Sequence, residues 1–163
     1  MNRRRASWLL AGALALLSGC ATAPRPSPAD AENGPWSGRL ALQVKDDASQ
    51  SFAAMFELRG SADTGELTLT NPLGGVLAIL AWAPGSATLR SNGRTRSFPS
   101  VDALVTQATG AAIPVAALFD WLRGRETQVP GWRANLSQLA EGRISAVRHD
   151  PAPEADLRVA LDR

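Results

Sequence analysis

Two apolar runs joined by a turn decide the fold class, and they read ELTLTNPLGGVLAILAW at residues 66–82. The first run, residues 66–70, alternates apolar and polar side chains, as a strand with one buried face does. The turn NPLG follows at residues 71–74, and residues 76–82 are then apolar on both faces. Such a run is typical of a strand that is covered on each side or that lines a cavity. The stretch therefore predicts two antiparallel strands.

The same alternation continues on both sides of this pair. Asn92-Gly93 lies between two further short runs and is the strongest short signal for a hairpin. The alternating pattern predicts additional strands at residues 39–44, 51–58, 87–90, 94–98, 132–136, 143–148 and 157–161. The predicted sheet is therefore an antiparallel meander of many short strands.

Between the two groups of strands, the apolar period changes to about 3.6 residues, which indicates two helices. The first is capped by Ser100 and continues to about Thr109, with Gly110 suited to its end. The second starts near Pro114 and stops at Gly124. Strands, two helices and then strands predict an α+β domain with the helices against one face of the sheet.

The first 19 residues have the order of a secretory signal. Three arginines precede an apolar run at residues 8–17, which is too short for a hydrocarbon core about 30 Å thick. Small residues then lead to Cys20. Residues 20–35 contain four prolines among small and polar residues, so we expect an extended tether there and a folded domain over residues 36–163. At ~3.1 Å per residue, the tether after Cys20 reaches at most roughly 45 Å.

Charge and composition exclude several functions. The chain has 17 basic and 15 acidic residues, but without the three arginines of the leader 14 basic residues remain against the 15 acidic ones. The basic balance is therefore no argument for a nucleic-acid partner. One His and one Cys are too few for a zinc site built from about four such ligands, and the lone Lys45 is not in a phosphate-binding motif. We expect no metal and no cofactor.

An enzyme is not expected either. A hydrolase needs a nucleophile and a base within reach of each other. His149 is the only imidazole and lies where a strand enters a turn, while Ser37 in GPWSG does not match the nucleophile elbow. Four carboxylates could form acid–base pairs but lie in turn-like stretches typical of solvated loops: Asp46, Asp47, Asp63 and Glu66.

Five motifs follow one another along the chain: LSGC at residues 17–20, GRL at 38–40, TNPLG at 70–74, TGAAIP at 109–114 and LFDWLRG at 118–124. The first resembles the bacterial lipoprotein box, which implies cleavage before Cys20 and lipidation of its sulfur. Together the five resemble the LolB family of outer-membrane lipoproteins. The resemblance implies a curled, incomplete antiparallel β-barrel with helices covering its concave side and an apolar cavity for acyl chains.

The resemblance also implies a role. Members of this family take triacylated lipoproteins from the periplasmic carrier LolA and insert them into the outer membrane. We therefore expect a LolA-like carrier, lipoprotein acyl chains and outer-membrane phospholipid as partners of a monomer. It would be lipid-anchored at the periplasmic face of the outer membrane of a Gram-negative bacterium. The alternative is a structural lipoprotein subunit of an envelope assembly machine, with a filled core and no ligand cavity.

The turn at residues 71–74 is the sharpest site prediction. Pro72 presets φ and Gly74 tolerates a positive φ, so the chain turns tightly with Leu73 at the tip. From the residues alone, a leucine folded back onto the sheet is the commoner outcome. The resemblance instead implies a protruding leucine that passes lipoproteins into the membrane, in a loop formed by Asn71, Pro72, Leu73 and Gly74.

Other side chains are candidates for the cavity or for partner contacts. Periodicity cannot separate a filled interior from a hollow one, so the following residues line an acyl cavity or form plain core: Phe52, Phe56, Leu67, Leu69, Ile79, Leu80, Leu118, Phe119 and Leu122. Trp121 is expected to pack, with its N–H on a backbone acceptor. Several arginines face water or meet an acidic carrier or phospholipid headgroups: Arg39, Arg59, Arg90, Arg94 and Arg96.

Overall fold

A computed structural model describes residues 34–109 and 112–162 of the chain. The leader, Cys20, most of the tether and Gly110 lie outside the described residues. The nine strands of the described part are β1 Trp36–Val44, β2 Phe52–Gly60, β3 Gly65–Thr70, β4 Val76–Ala83, β5 Ser86–Ser91, β6 Arg94–Phe98, β7 Trp132–Asn135, β8 Arg143–Arg148 and β9 Ala155–Leu161. Its helices are α1 Val101–Thr109, α2 Val115–Leu122 and a 3₁₀ turn at Leu139–Glu141.

All nine strands form one antiparallel sheet in the order β6-β5-β4-β3-β2-β1-β9-β8-β7. Neighbours in the sheet are neighbours along the chain except where β1 pairs with β9, with Leu42 opposite Leu157. Strands β6 and β7 are the two edges and do not pair, so the sheet is not closed. The predicted α+β class, with a curled and incomplete antiparallel barrel, is confirmed.

The register places the apolar side chains of neighbouring strands on one face, which we call the inner face. Leu42 of β1 stands opposite Phe52 of β2, and Leu67 of β3 stands opposite Leu58 and Leu80 on its two neighbours. Because side chains alternate across a strand, every second residue of each strand joins this face. Burial of this face removes apolar surface from water at about 25 cal/mol per Å² and is the main stabilising term.

Helix α1 covers the inner face next to β5 and β6. The Ser100 hydroxyl accepts a hydrogen bond from the Ala103 N–H at 3.1 Å, which is the predicted amino-terminal cap. Leu104 is fully buried and Val105 is buried beside it. The apolar side of the helix therefore faces the sheet, as its spacing predicts.

Helix α2 is the more deeply buried helix, with Phe119 and Trp121 each 1% exposed. The indole N–H of Trp121 donates to the Thr127 carbonyl at 3.1 Å, which confirms the predicted structural use of this side chain. The chain turns away at Gly124, whose φ of +77° places it in the left-handed region that favours glycine. The predicted stop of this helix is also confirmed.

The loop after α2 is fastened by Asp120. Its carboxylate accepts a hydrogen bond from the Thr127 hydroxyl at 2.6 Å and another from Arg125 Nη2 at 2.6 Å. The hydrogen bond from Thr127 and then that from Arg125 hold the pKa of Asp120 below its ordinary value. The ionised carboxylate therefore stabilises the position of α2.

The start of β4 differs from the prediction that residues 76–82 are covered on each side or line a cavity. Val76 is 60% exposed and Leu77 is 44% exposed, whereas Trp82 near the other end of the strand is buried. The reason lies in the pairing, because β5 pairs with β4 only from Ile79 onward. The first residues of β4 thus extend past their neighbour and leave apolar side chains in water.

Candidate functional site

A cavity of about 380 Å³ lies between the inner face and the two helices. Its wall is mostly apolar and includes Val101 and Val105 of α1 and Val115 of α2. Six of the nine candidates from the sequence line it: Phe52, Leu67, Leu69, Leu80, Leu118 and Phe119. The interior is therefore partly hollow, a distinction that periodicity left open.

Three candidates do not line the cavity. Phe56 lies on the inner face but is packed in the core, 6% exposed, and Leu122 at the end of α2 is equally buried. Ile79 stands opposite Thr68 and Arg90 on the outer face of the sheet. Because neighbouring residues of a strand point to opposite faces, Ile79 and Leu80 cannot share one wall.

The volume of the cavity indicates what it can hold. A 150 Å³ cavity that accommodates benzene corresponds to roughly 25 Å³ per carbon. On this scale the 380 Å³ cavity holds an acyl chain of about 15 carbons. Each methylene moved from water into it contributes about 0.8 kcal/mol, so an apolar chain needs no polar recognition to bind.

The cavity extends to the end of the sheet where the β3–β4 loop protrudes. Leu69 and Ala78, which lie on either side of that loop, both line it, and so does Gln50 in the β1–β2 turn. Gln50 Nε2 donates to an oxygen of Asp47 at 2.5 Å, while Gln50 Oε1 is buried without a hydrogen-bond partner among the described residues. The Ser49 hydroxyl is the main cause that lowers the pKa of Asp47. We call this end of the cavity the mouth.

The β3–β4 loop is held rigidly by Asn71. Its Oδ1 accepts hydrogen bonds from the N–H groups of Leu73 and Gly75, each at 2.9 Å, and its carbonyl accepts from the Gly74 N–H at 2.9 Å. Gly74 adopts a φ of +85°, which completes the tight turn. Leu73 is 96% exposed at the tip and is not folded back onto the sheet.

Leu73 is part of a larger apolar patch. Val76 and Leu77 follow it within four residues and are also exposed, as is Pro72 before it. Apolar side chains gathered in water at one protrusion mark a surface that meets lipid or a partner. The patch stands beside the mouth, because the loop that carries it joins two strands whose residues line the cavity.

The arginines singled out in the sequence occupy different faces. Arg39 and Arg90 are on the outer face, and Arg59 forms an ion pair with Glu57. Arg94 and Arg96 instead share the inner face, and Arg96 lines the cavity. A sequence signal existed for this placement, since both lie an even number of residues before the apolar Phe98 on strand β6 and therefore share its face.

A second, larger hollow of about 670 Å³ lies on the outer face, across strands β1, β2, β8 and β9. Its floor contains small side chains such as Ala41 and Ala53, and Arg39, Arg143 and Arg158 stand around it. No residue of α1 or α2 lines it, so it is not enclosed between layers as the inner cavity is. The inner cavity is the better site for an apolar chain.

A curled antiparallel sheet with two helices over an apolar cavity is the architecture that the sequence resemblance implies for a lipoprotein-localisation protein. Comparison with known families agrees: a family model described as outer membrane lipoprotein LolB matches residues 35–153. The chain belongs to this family.

Similar proteins named outer-membrane lipoprotein LolB come from several bacteria. The one from Bordetella petrii is 32% identical over 96% of this chain and 92% of its own length. The one from Cupriavidus pinatubonensis is 34% identical over 92% of this chain and 75% of its length. The one from Bordetella pertussis is 40% identical over 69% of this chain and 58% of its length.

Family membership makes the chain an outer-membrane lipoprotein involved in lipoprotein localisation. Within the described residues, neither helix has the length and apolar character needed to cross a bilayer.

Proposed function

We propose that this protein receives triacylated lipoproteins from a LolA-like periplasmic carrier and takes an acyl chain of the cargo into the inner cavity. It then releases the cargo into the outer membrane through the β3–β4 loop. In this proposal residues 1–19 are removed as a signal peptide and Cys20 bears the lipid. Residues 20–35 are the tether, and the lipid-binding domain begins at Trp36.

The exposure of Leu73 carries the proposal. Moving a leucine side chain from water into hydrocarbon contributes about 2 kcal/mol, and the exposed Val76 and Leu77 add to this when the tip enters a bilayer. The hydrogen bonds of Asn71 hold the loop in the shape that presents the leucine. A protein that never met lipid or a partner at this loop would gain by hiding these side chains.

The cavity supports the uptake step. The alternative, a structural subunit, predicts a filled core, whereas this interior contains a hollow the size of an acyl chain. The cavity therefore favours an acceptor. Its volume corresponds to about one of the three chains of the cargo, so we propose that the other two rest on the exposed patch, the carrier or the membrane.

A transfer experiment with a loop variant tests the proposal. Carrier loaded with triacylated lipoprotein is mixed with this protein and liposomes, without nucleotide. We expect Leu73→Glu to take cargo from the carrier but to leave it out of the liposomes, because a carboxylate at the tip opposes entry into hydrocarbon. Leu73→Met, which keeps an apolar side chain at the tip, should deliver cargo as the wild type does.

Ser86→Glu is the matched control. It adds the same charge at the exposed first residue of β5, next to the β4–β5 turn at the opposite end of the sheet, and delivery should equal that of the wild type. Normal delivery by Leu73→Glu would contradict the role of the loop. Failure of the wild-type protein to take cargo from the carrier would contradict the acceptor function itself.

A further inference from the structure

Two arginines stand at one side of the mouth, on the edge strand β6. Arg96 is opposite Leu89 and Arg94 is opposite Ser91, so both side chains belong to the inner face. The Arg96 guanidinium carbon lies 5.7 Å from the centroid of the Phe98 ring, a cation–π contact that orients it. In the described part of the chain no carboxylate lies within ion-pair distance of Arg94 or Arg96, as the recorded ion pairs involve other arginines and His149.

These arginines border a third hollow, which shares part of its wall with the apolar cavity. The hollow measures about 400 Å³, and Leu89, Ser91 and Arg96 line both spaces. Arg94 and Asn92 complete its polar wall. An apolar space for a chain therefore lies next to a polar space with two positive charges.

We propose that the two spaces form one site for an anionic amphiphile, with an acyl chain in the cavity and a phosphate or carboxylate head between Arg94 and Arg96. This inference rests on the acyl cavity of the proposed function and adds a ligand that the cargo does not supply. The lipid-modified cysteine of a lipoprotein carries thioether, ester and amide groups, none of which is charged. Guanidinium groups bind oxyanions through paired, charge-assisted hydrogen bonds.

Such a ligand would compete with cargo. A free fatty acid or a single-chain phospholipid places its tail where the cargo acyl chain binds, so only one of them occupies the cavity at a time. The site would thus keep the apolar wall out of water between rounds of transfer. Arriving cargo would displace the lipid, and bulk anionic lipid would slow cargo uptake.

Binding of probes with one chain length and different heads tests the proposal. The assay measures how well three probes displace an apolar fluorophore from the protein: myristic acid, myristoyl lysophosphatidylglycerol and neutral monomyristoylglycerol. Each probe is used below the concentration at which it forms micelles. We expect the two anionic probes to bind about tenfold more tightly than the neutral one, an advantage of about 1.4 kcal/mol that shrinks in high salt. The stronger of the two anions identifies carboxylate or phosphate as the preferred head.

The double variant Arg94→Gln/Arg96→Gln should bind all three probes as weakly as the wild type binds monomyristoylglycerol. Arg90→Gln is the matched control, because it removes the same charge from the same hairpin on the outer face, and it should keep the preference. Equal binding of anionic and neutral probes by the wild type, or loss of the preference in Arg90→Gln, would overturn the proposal.

Two further outcomes separate this proposal from the one on which it rests. Glycerol phosphate, a head without a chain, should not compete, and competition by it would overturn the composite site. If monomyristoylglycerol itself fails to displace the fluorophore from the wild type, the acyl cavity of the proposed function is wrong and this inference falls with it. Binding of the neutral probe without an anionic preference overturns this inference alone.

Discussion

The capacity of the cavity can be tested by filling it. Ala78 is half-buried on the inner face of β4, opposite Leu69, and lines the mouth. Ala78→Phe adds six carbons there, which at roughly 25 Å³ each occupy about 150 Å³ of the cavity. The remaining space corresponds to about 9 carbons, compared with about 15 in the wild type.

The expected result is a shift in preferred chain length. Monoacylglycerols of 8 to 18 carbons displace an apolar fluorophore, and affinity for the wild type should rise by about 0.8 kcal/mol per methylene and level off near 15 carbons. In Ala78→Phe the affinity should level off at about 9 carbons. A 16-carbon chain then loses about 5 kcal/mol at most, since six methylenes are excluded.

Ala83→Phe is the control for this variant. It makes the same change on the same strand at an exposed position that does not line the cavity. The fold should be retained in both proteins, as checked by urea denaturation, because the new ring in Ala78→Phe enters existing space. An unmoved plateau in Ala78→Phe, or an equal shift in Ala83→Phe, would refute the assignment of the cavity as the acyl site.

Substitutions at three other positions test how the scaffold is held. Ser100→Ala should lower the free energy of unfolding in urea by about 1 kcal/mol through loss of the cap of α1, and Ser100→Asp should recover most of it. Asp120→Asn should lower it by about 1 kcal/mol at neutral pH. Folding lowers the pKa of Asp120, so the difference in unfolding free energy between Asp120→Asn and the wild type should persist above about pH 3.9, the pKa of the unfolded state. The difference should vanish as the pH falls through the pKa of the folded state. A difference that persists in acid would contradict the role of the ionised carboxylate. Arg148 is 3% exposed, with Nη2 on the Pro153 carbonyl and Nε without a partner among the described residues. Arg148→Met should therefore be neutral or stabilising by denaturation, whereas Arg148→Ala should cost about 3 kcal/mol by leaving a hole.

Local patterns were enough to predict most of the fold. Alternation identified the strands, the Asn92-Gly93 pair gave the hairpin between β5 and β6, and Ser100 gave the start of α1. Each of these signals depends on residues close in sequence. The pairing of β1 with β9 joins residues more than a hundred positions apart, and no local pattern specifies it.

For the same reason, only part of the candidate site could be predicted from the sequence. Leu80 lines the cavity and its neighbour Ile79 does not, a difference that strict alternation on an apolar strand would have given. Phe56 shares the inner face with the lining residues but is packed, because whether a wall is filled depends on side chains from several elements. Arg96 was one of five arginines with no assigned face, although its position two residues before the apolar Phe98 places both side chains on one face.

The direction of β1 determines where the proposed tether joins the domain. Trp36 begins β1 at the end of the sheet opposite the β3–β4 loop, since Trp36 stands across from Leu58 while Thr70 next to the loop stands across from Met55. This offset of three residues along β2 spans roughly 10 Å. With Cys20 as the proposed anchor, a tether of at most roughly 45 Å can run back past the level of Thr70 with length to spare. Under the proposed function, this slack would let the protein hold its mouth away from the membrane to meet the carrier and then turn over to bring Leu73 down into the leaflet that holds the anchor.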